Sequence, residues 1–279
     1  MAGFFGLFNY EKEGPGIAKD APKKRGFIVF YEFFFRNFWK FITINLVYGL
    51  ICAPVITNGL ANVGITNVAR NIARDKHSFG LSDFFDTLKK NWKQGLIAGI
   101  INTIITIVLI FDIYFFFNMK SGAMSTIGLG VTFSFIFFFV VMNFYMWTLM
   151  ITFKFTLKQI YTNSFKFVII NLKSNFLCFF VLAVCYALYI LVLFVFKRFF
   201  WILLLVEFAI FICVHPAFRA LLIQFCTFPA IKKYIIDPYY EEHPDEDMQK
   251  RKDLGLVEEE VKVYINEDGE EESENVFED

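Results

Sequence analysis

The sequence predicts an all-α fold, a polytopic membrane helical bundle, on three observations. Apolar residues fill 57% of the 279 positions and charged residues only 19%, too few to cover a surface that faces water. The apolar residues gather in five runs of about 20 residues or more, the length a helix needs to cross a hydrocarbon core, with short basic segments between them. The zero net charge is unevenly placed: residues 1–236 carry 23 basic and 9 acidic side chains, whereas residues 237–279 carry 4 basic and 18 acidic ones. A basic body suits a membrane whose cytoplasmic lipids are anionic, and a tail this rich in Glu and Asp cannot bury enough surface to fold alone. An ordinary soluble domain is excluded. Three regions are expected: a cytoplasmic N-terminal segment over 1–37, a transmembrane helical domain over 38–236, and an acidic, disordered cytoplasmic tail over 237–279.

The first run, Phe38 to Ile56, holds Lys40 and Asn45 near its start. It breaks at Pro54 and at Thr57, Asn58 and Gly59, and a second run follows from Leu60 to Ala73. One straight helix over these 36 residues would reach about 54 Å, against roughly 30 Å of hydrocarbon. Pro54 removes a backbone donor and Asn-Gly tolerates positive φ, so the break reads as a tight helical hairpin or a re-entrant turn. The second arm carries Asn62, Thr66 and Asn67 and needs neighbouring helices to shelter it. Further spans run Leu96 to Phe117, Ile127 to Phe153, Phe176 to Phe196 and Phe199 to Phe218, the last two separated only by Lys197 and Arg198. With the first two runs paired as a hairpin, sixteen lysines and arginines fall on one side of the membrane and three on the other. A single crossing over 38–73 would erase that bias. The expected topology is therefore six membrane segments as three hairpins, the second segment short or re-entrant, with both termini cytoplasmic. A signal peptide is not expected, because the first run follows a polar stretch and lacks a small-x-small cleavage site.

Each hairpin is preceded by a similar text. Phe33-Phe34-Phe35-Arg36-Asn37-Phe38-Trp39-Lys40 leads into the first, Phe84-Phe85 through Lys89-Lys90-Asn91-Trp92-Lys93 into the second, and Phe165-Lys166-Phe167 through Asn171-Leu172-Lys173 into the third. A parallel repeat is expected, against the plainer reading that aromatic and basic residues collect at any interface. Leu81, Phe84, Phe85, Leu88 and Trp92 form one helical stripe, with Ser82 as N-cap, Asp83 and Asp86 near the helix start, and Lys89, Lys90 and Lys93 near its end. Residues 157–172 repeat the pattern through Leu157, Ile160, Tyr161, Phe165, Val168 and Leu172. Both segments are expected to lie along the inner membrane surface as anchors. The functional alternative is that they dock a cytoplasmic partner, with Lys89, Lys90, Trp92 and Lys93 as the candidate contacts.

Charge at membrane depth costs roughly 2.5 to 3.5 kcal/mol on insertion scales, which makes each instance a candidate site. Glu207 lies nine residues into the last span with no basic residue within a turn. It must be protonated, line a water-filled cavity or meet a polar partner. Asp112 lies nearer the outer end of its span. Asn102 and Asn143, like Asn45, can bridge helices or contact a solute. These four, Glu207, Asn102, Asn143 and Asp112, form the candidate intramembrane polar site. His215-Pro216 marks a hinge or an ordinary kink. Neither the five cysteines nor the three histidines fall at metal-ligand spacing, and nucleotide-binding and hydrolase motifs are missing. No catalytic residue, cofactor, metal or nucleic-acid partner is expected.

Gly3-Phe4-Phe5-Gly6, Asn45-Leu46, Pro54-Val55-Ile56-Thr57-Asn58-Gly59-Leu60-Ala61 and the segment Asp83-Phe84-Phe85 through Lys90-Asn91-Trp92-Lys93-Gln94 resemble the YesL family of bacterial integral membrane proteins. The resemblance spans about residues 3–110. Asn58 stands where the family usually has an apolar residue, and the acidic tail lies outside its pattern. Family members are commonly encoded beside carbohydrate ABC-transporter components, so the resemblance implies a Gram-positive plasma membrane and a link to saccharide uptake. It transfers no functional residue. Two functions are expected to compete: a non-enzymatic accessory component that contacts carbohydrate ABC-transporter subunits, and a small-molecule transporter or substrate-capturing component with an intramembrane polar cavity.

Overall fold

Three asparagines divide the chain into its helices. The computed structural model describes residues 26–119 and 122–242, together with the backbone of two short strands beyond them. In it Asn37, Asn91 and Asn171 have (φ, ψ) of (−106°, 17°), (−115°, 15°) and (−110°, 36°). Each ends a short amphipathic helix and begins a more apolar one. Helix α1 (Gly26–Arg36) precedes α2 (Phe38–Cys52), the first turns of α4 (Leu81–Asn118) precede its apolar remainder, and α6 (Leu157–Ile170) precedes α7 (Leu172–Val195). Backbone angles of this kind lie near the sparsely populated bridge region, and a short amide side chain can cap carbonyls that such a turn exposes. Asn37 Nδ2 donates to Phe33 O at 3.0 Å and Asn91 Nδ2 to Thr87 O at 3.1 Å. Asn171 Nδ2 instead reaches across the bundle to Tyr145 Oη at 2.9 Å and Cys226 O at 3.3 Å. The repeated text thus marks a repeated order of elements: amphipathic helix, asparagine turn, apolar helix, following helix. The following helices are α3 (Asn58–Ala73), α5 (Ala123–Thr152) and α8 (Phe200–Cys213).

Helices α4, α5 and α7 are long and apolar enough to cross a membrane, and α8 with the helical stretch His215–Glu242, which opens with α9 (His215–Ile231), makes a fourth if that pair, bent by 47°, is one span. Helices α2 and α3, at 15 and 16 residues, fall short on length alone. The large apolar side chains of the long helices point outward, among them Ile104, Ile107, Phe111, Phe133, Phe135, Ile190 and Leu205. Surface this apolar belongs in lipid. The interior is built around α3, which packs against α2, α4, α5 and α9. One core cluster joins α1, α2, α3 and α9 through Phe30, Phe34, Phe41, Ile44, Val68 and Leu221 with Phe84 of α4. Another joins α5, α6, α7 and α9 around Tyr145, Phe167, Cys178 and Ile231.

Several local expectations are corrected. Gly80, at φ +64°, caps α4 in place of Ser82, whose hydroxyl bonds Asp86 instead. Asp83 secures this helix start by accepting from Ser78 Oγ at 2.7 Å and Phe79 N at 3.0 Å. The amphipathic segment 82–93 is continuous with the following span, kinked at Asn91. In α6 the buried face is Ile160, Ser164, Phe167 and Val168, with Phe165 exposed, and Leu172 is also exposed, so the stripe is rotated from the expected one. At the first hairpin the positive φ falls on Val55 rather than on Asn58 or Gly59. The last span does not continue to Phe218 but breaks at Val214, and the new helix begins at His215 with Pro216 in its first turn. A π-helical turn over Lys232–Ile236 then leads into α10 (Asp237–Glu242), whose Tyr240 is buried. Beyond it Val263–Ile265 (β1) pairs antiparallel with Glu271–Ser273 (β2). The rest of the acidic tail, and residues 1–25 with Gly3-Phe4-Phe5-Gly6, lie outside the described residues.

Candidate functional site

Three glycines bring α3 against α4. A Cβ on Gly59 would stand 1.9 Å from Gly95 O and 2.8 Å from Gly99 Cα, so only hydrogen fits there. This contact sets Asn58 and Asn62 of α3 beside Asn102 and Thr103 of α4, on the wall of a cavity of about 690 Å³. Helices α2, α5, α7 and α9 complete the wall with Tyr48, Asn143, Tyr186, Arg219 and Gln224, while Phe139, Phe144, Trp147 and Phe179 supply apolar faces. The volume and the mixture of aromatic faces with a few convergent polar groups suit a small solute.

Two hydrogen-bonded groups organise the cavity. In the first, Asn102 Nδ2 donates to Asn143 Oδ1 at 2.6 Å, and Tyr161 of α6 donates its hydroxyl to Asn102 Oδ1 at 3.3 Å. Burial pushes the Tyr161 phenol up to about 12, which keeps it a donor. Asn143 Nδ2 returns to its own helix at Phe139 O, 2.9 Å away. In the second, Arg219 Nη2 donates to Asn62 Oδ1 at 2.9 Å and to Tyr48 Oη at 3.1 Å. Asn62 Nδ2 in turn donates to Asn58 O at 3.0 Å. The Arg219 Nε is buried without a partner. Arg219 also lines an adjoining space of about 300 Å³ with Cys52, Phe211 and His215. Among the described residues that line either space there is no carboxylate.

The break at Val214 is what carries Arg219 inward. Asn45 Nδ2 donates to Cys213 O at 2.7 Å and so satisfies a carbonyl at the broken end of α8. His215 follows, its ring stacked 4.9 Å from Phe211, and α9 then turns into the bundle with Arg219 one turn along. Without the bend, α9 would continue the lipid-facing course of α8.

Of the four candidate polar residues, Asn102 and Asn143 are brought together and line the cavity. Glu207 and Asp112 do not line it. Glu207 is half-buried on α8, within electrostatic reach of Tyr189, and Asp112 is half-buried near the end of α4. Lys89, Lys90, Trp92 and Lys93 are all exposed, with Lys93 Nζ 5.6 Å over the Trp92 ring. Sequence reasoning missed Arg219, Tyr48 and Asn62 as a group. The available signal was the apolar run that continues past Pro216 from Ala217 to Phe228 with only Arg219, Gln224 and Thr227 interrupting it. A span that ends at Phe218 leaves that arginine just outside it.

Residues 37–113 match the family model DUF624, described as a protein of unknown function. The match is consistent with the YesL resemblance. It covers α2, α3 and most of α4, the helices that supply Tyr48, Asn58, Asn62 and Asn102 to the cavity. No curated protein and no solved structure matches the chain.

Proposed function

We propose that the chain is a non-enzymatic integral membrane protein of the YesL type that captures a small polar solute bearing an acidic group. The observation that carries this reading is Arg219: a guanidinium on the wall of a cavity of about 690 Å³, held by neutral partners, Tyr48, Asn62 and Tyr186, with its Nε buried and unpartnered and no carboxylate among the described lining residues. A buried charge without a counter-charge is costly, and an intramembrane ionisable group marks a functional site by default. A carboxylate or similar group on the solute would supply the missing charge and pair with the guanidinium fork. Asn58, Asn102 and Asn143 offer amide groups for hydroxyls on its body, while Asn62 is committed to Asn58, Tyr48 and Arg219. The distribution of basic residues supports six membrane segments with both termini cytoplasmic, and the YesL resemblance supports a bacterial plasma membrane.

Titration of the purified protein with a panel of small hydroxy acids and their uncharged analogues tests the reading. The acids should bind and the analogues should not, and Arg219→Gln and Asn143→Ala should each weaken binding about tenfold or more, the worth of roughly 1.4 kcal/mol. Equal binding of charged and neutral solutes, or full binding by both variants, would sink it.

A second reading, an accessory component of a carbohydrate ABC transporter, is favoured by the exposed face of Lys89, Lys90, Trp92 and Lys93. It is compatible with solute capture. Affinity capture from gently solubilised membranes should recover permease or ATPase subunits with the wild type and lose them when the three lysines are changed to Glu. Recovery unchanged by that reversal would remove this face from any interface.

A further inference from the structure

The other end of α3 holds a second concentration of uncompensated positive charge, separate from Arg219. Arg70 and Arg74 lie one helical turn apart. Arg70 Nη1 donates to Thr152 Oγ1 at 2.9 Å, and its Nη2 donates to Asn67 Oδ1 at 2.8 Å. Its Nε is buried with no partner. Arg74 sits over the Phe228 ring, its Cζ 3.8 Å from the ring centroid, and its Nε and Nη2 are buried and unpartnered. Arg70 and Arg74 line a pocket of about 110 Å³ whose remaining wall is Ala73, Gln224, Phe225, Phe228 and Pro229. At roughly 30 Å³ per water this has room for three or four waters, or one small oxyanion. Among the described residues, no carboxylate lines it.

The end of a helix favours cations, which accounts for one arginine near the last turn of α3. It does not account for two guanidinium groups side by side with three nitrogens buried and idle, because each buried donor left unmade costs about 1 to 3 kcal/mol. Burial first, and the Arg70 charge second, pull Arg74 down from its ordinary value to about 9, the direction expected when neither group has a counter-charge. The Gln224 oxygen is likewise buried and unpartnered, while its Nε2 donates to Thr148 Oγ1 at 2.7 Å. Thr148 can donate as readily as accept, so turning the amide over would present the Gln224 NH2 to the pocket as a further donor.

We propose that Arg70 and Arg74 bind a phosphate group. Two positive charges and several unused N–H donors match a tetrahedral oxyanion with three or more acceptor oxygens better than they match a single carboxylate. The phosphate can come from a lipid head group, concentrated at the basic side of a membrane, or from a free phosphorylated solute. The site is independent of the Arg219 cavity, although Gln224 lines both spaces.

The test uses the full chain in a neutral detergent, with thermal unfolding read by tryptophan fluorescence. One arm adds inorganic phosphate against chloride at equal ionic strength, and the other adds phosphatidylglycerol against phosphatidylcholine. One phosphate source should raise the wild-type midpoint by about 2 to 4 °C, and the arm that does so identifies the source. Arg74→Gln should lose that rise, as should Arg70→Gln if it folds, whereas Lys158→Gln, a change of equal charge on the exposed side of α6, should keep it. No rise in either arm, or a rise retained by Arg74→Gln, overturns the proposal. Because the readout needs no cavity ligand, failure of solute binding at Arg219 leaves this result to stand or fall alone.

Discussion

Helices α3 and α8 hold the same place in the order of elements, each following an apolar helix that an asparagine turn introduces, and they treat polarity in opposite ways. Helix α3 buries eleven of its sixteen residues, Asn62, Thr66 and Asn67 among them. Helix α8 buries none of its fourteen, although all but Glu207 are apolar. In water this would be inverted. It is consistent with a molecule whose outer solvent is hydrocarbon, where apolar side chains are at home outside and polar groups need protein partners inside. The partners of α3 come from all round it: Tyr48 and Arg219 reach Asn62, and Asn67 donates to Asp83 O at 3.4 Å.

The comparison can be broken most forcefully at the α3–α4 contact. Gly59→Ala puts a methyl group 1.9 Å from Gly95 O, and we expect a loss above about 4 kcal/mol, seen as failure to recover monodisperse protein. Gly130→Ala on α5, where a Cβ meets nothing within 4 Å, should change stability by no more than about 0.5 kcal/mol. If the two variants behave alike, α3 is not the packed centre. Next in size is Leu205→Arg on the exposed face of α8, expected to cost roughly 2.5 to 3.5 kcal/mol in a membrane-insertion assay. Normal insertion of that variant would mean that α8 does not face lipid.

Asn102→Leu should cost about 1 to 3 kcal/mol in reversible denaturation, because it strips a partner from both Asn143 and Tyr161. A double change with Asn143→Leu should cost less than the sum of the single ones, and strict additivity would show that the two amides do not act as a pair. Glu207→Gln is the smallest: stability within about 0.5 kcal/mol and unchanged solute binding. Impaired binding would move the site from the α3 cavity to α8.

Much of the helical order is legible in local sequence. The break after Pro54, the short polar second arm and the three lead-in texts correspond to real helix ends, because proline, asparagine and apolar periodicity act within a few residues of themselves. The capping box at Thr156 and Gln159 is equally local, a side chain and a backbone three residues apart. Pro54 lies just past the end of α2, but Asn58 and Gly59 belong to the first turn of α3 rather than to the break. Asn-Gly suggested a left-handed residue, but the glycine is there to let two backbones touch, which depends on where α4 lies. Asn102 and Asn143 could be singled out as costly in hydrocarbon, yet nothing in a 41-residue separation says that their amides meet.

The sequence by itself determined that this chain is a bundle of apolar helices with a basic body and an acidic tail, because hydropathy and charge are summed over neighbouring residues and need no knowledge of contacts. Only the tertiary structure decided that Arg219 belongs to the interior. Its partners Tyr48 and Asn62 lie 171 and 157 residues away, and the bend at Val214 that delivers it rests on a carbonyl satisfied by Asn45, 168 residues upstream. A buried charge is placed by the groups that surround it, and those groups are chosen by how the helices pack.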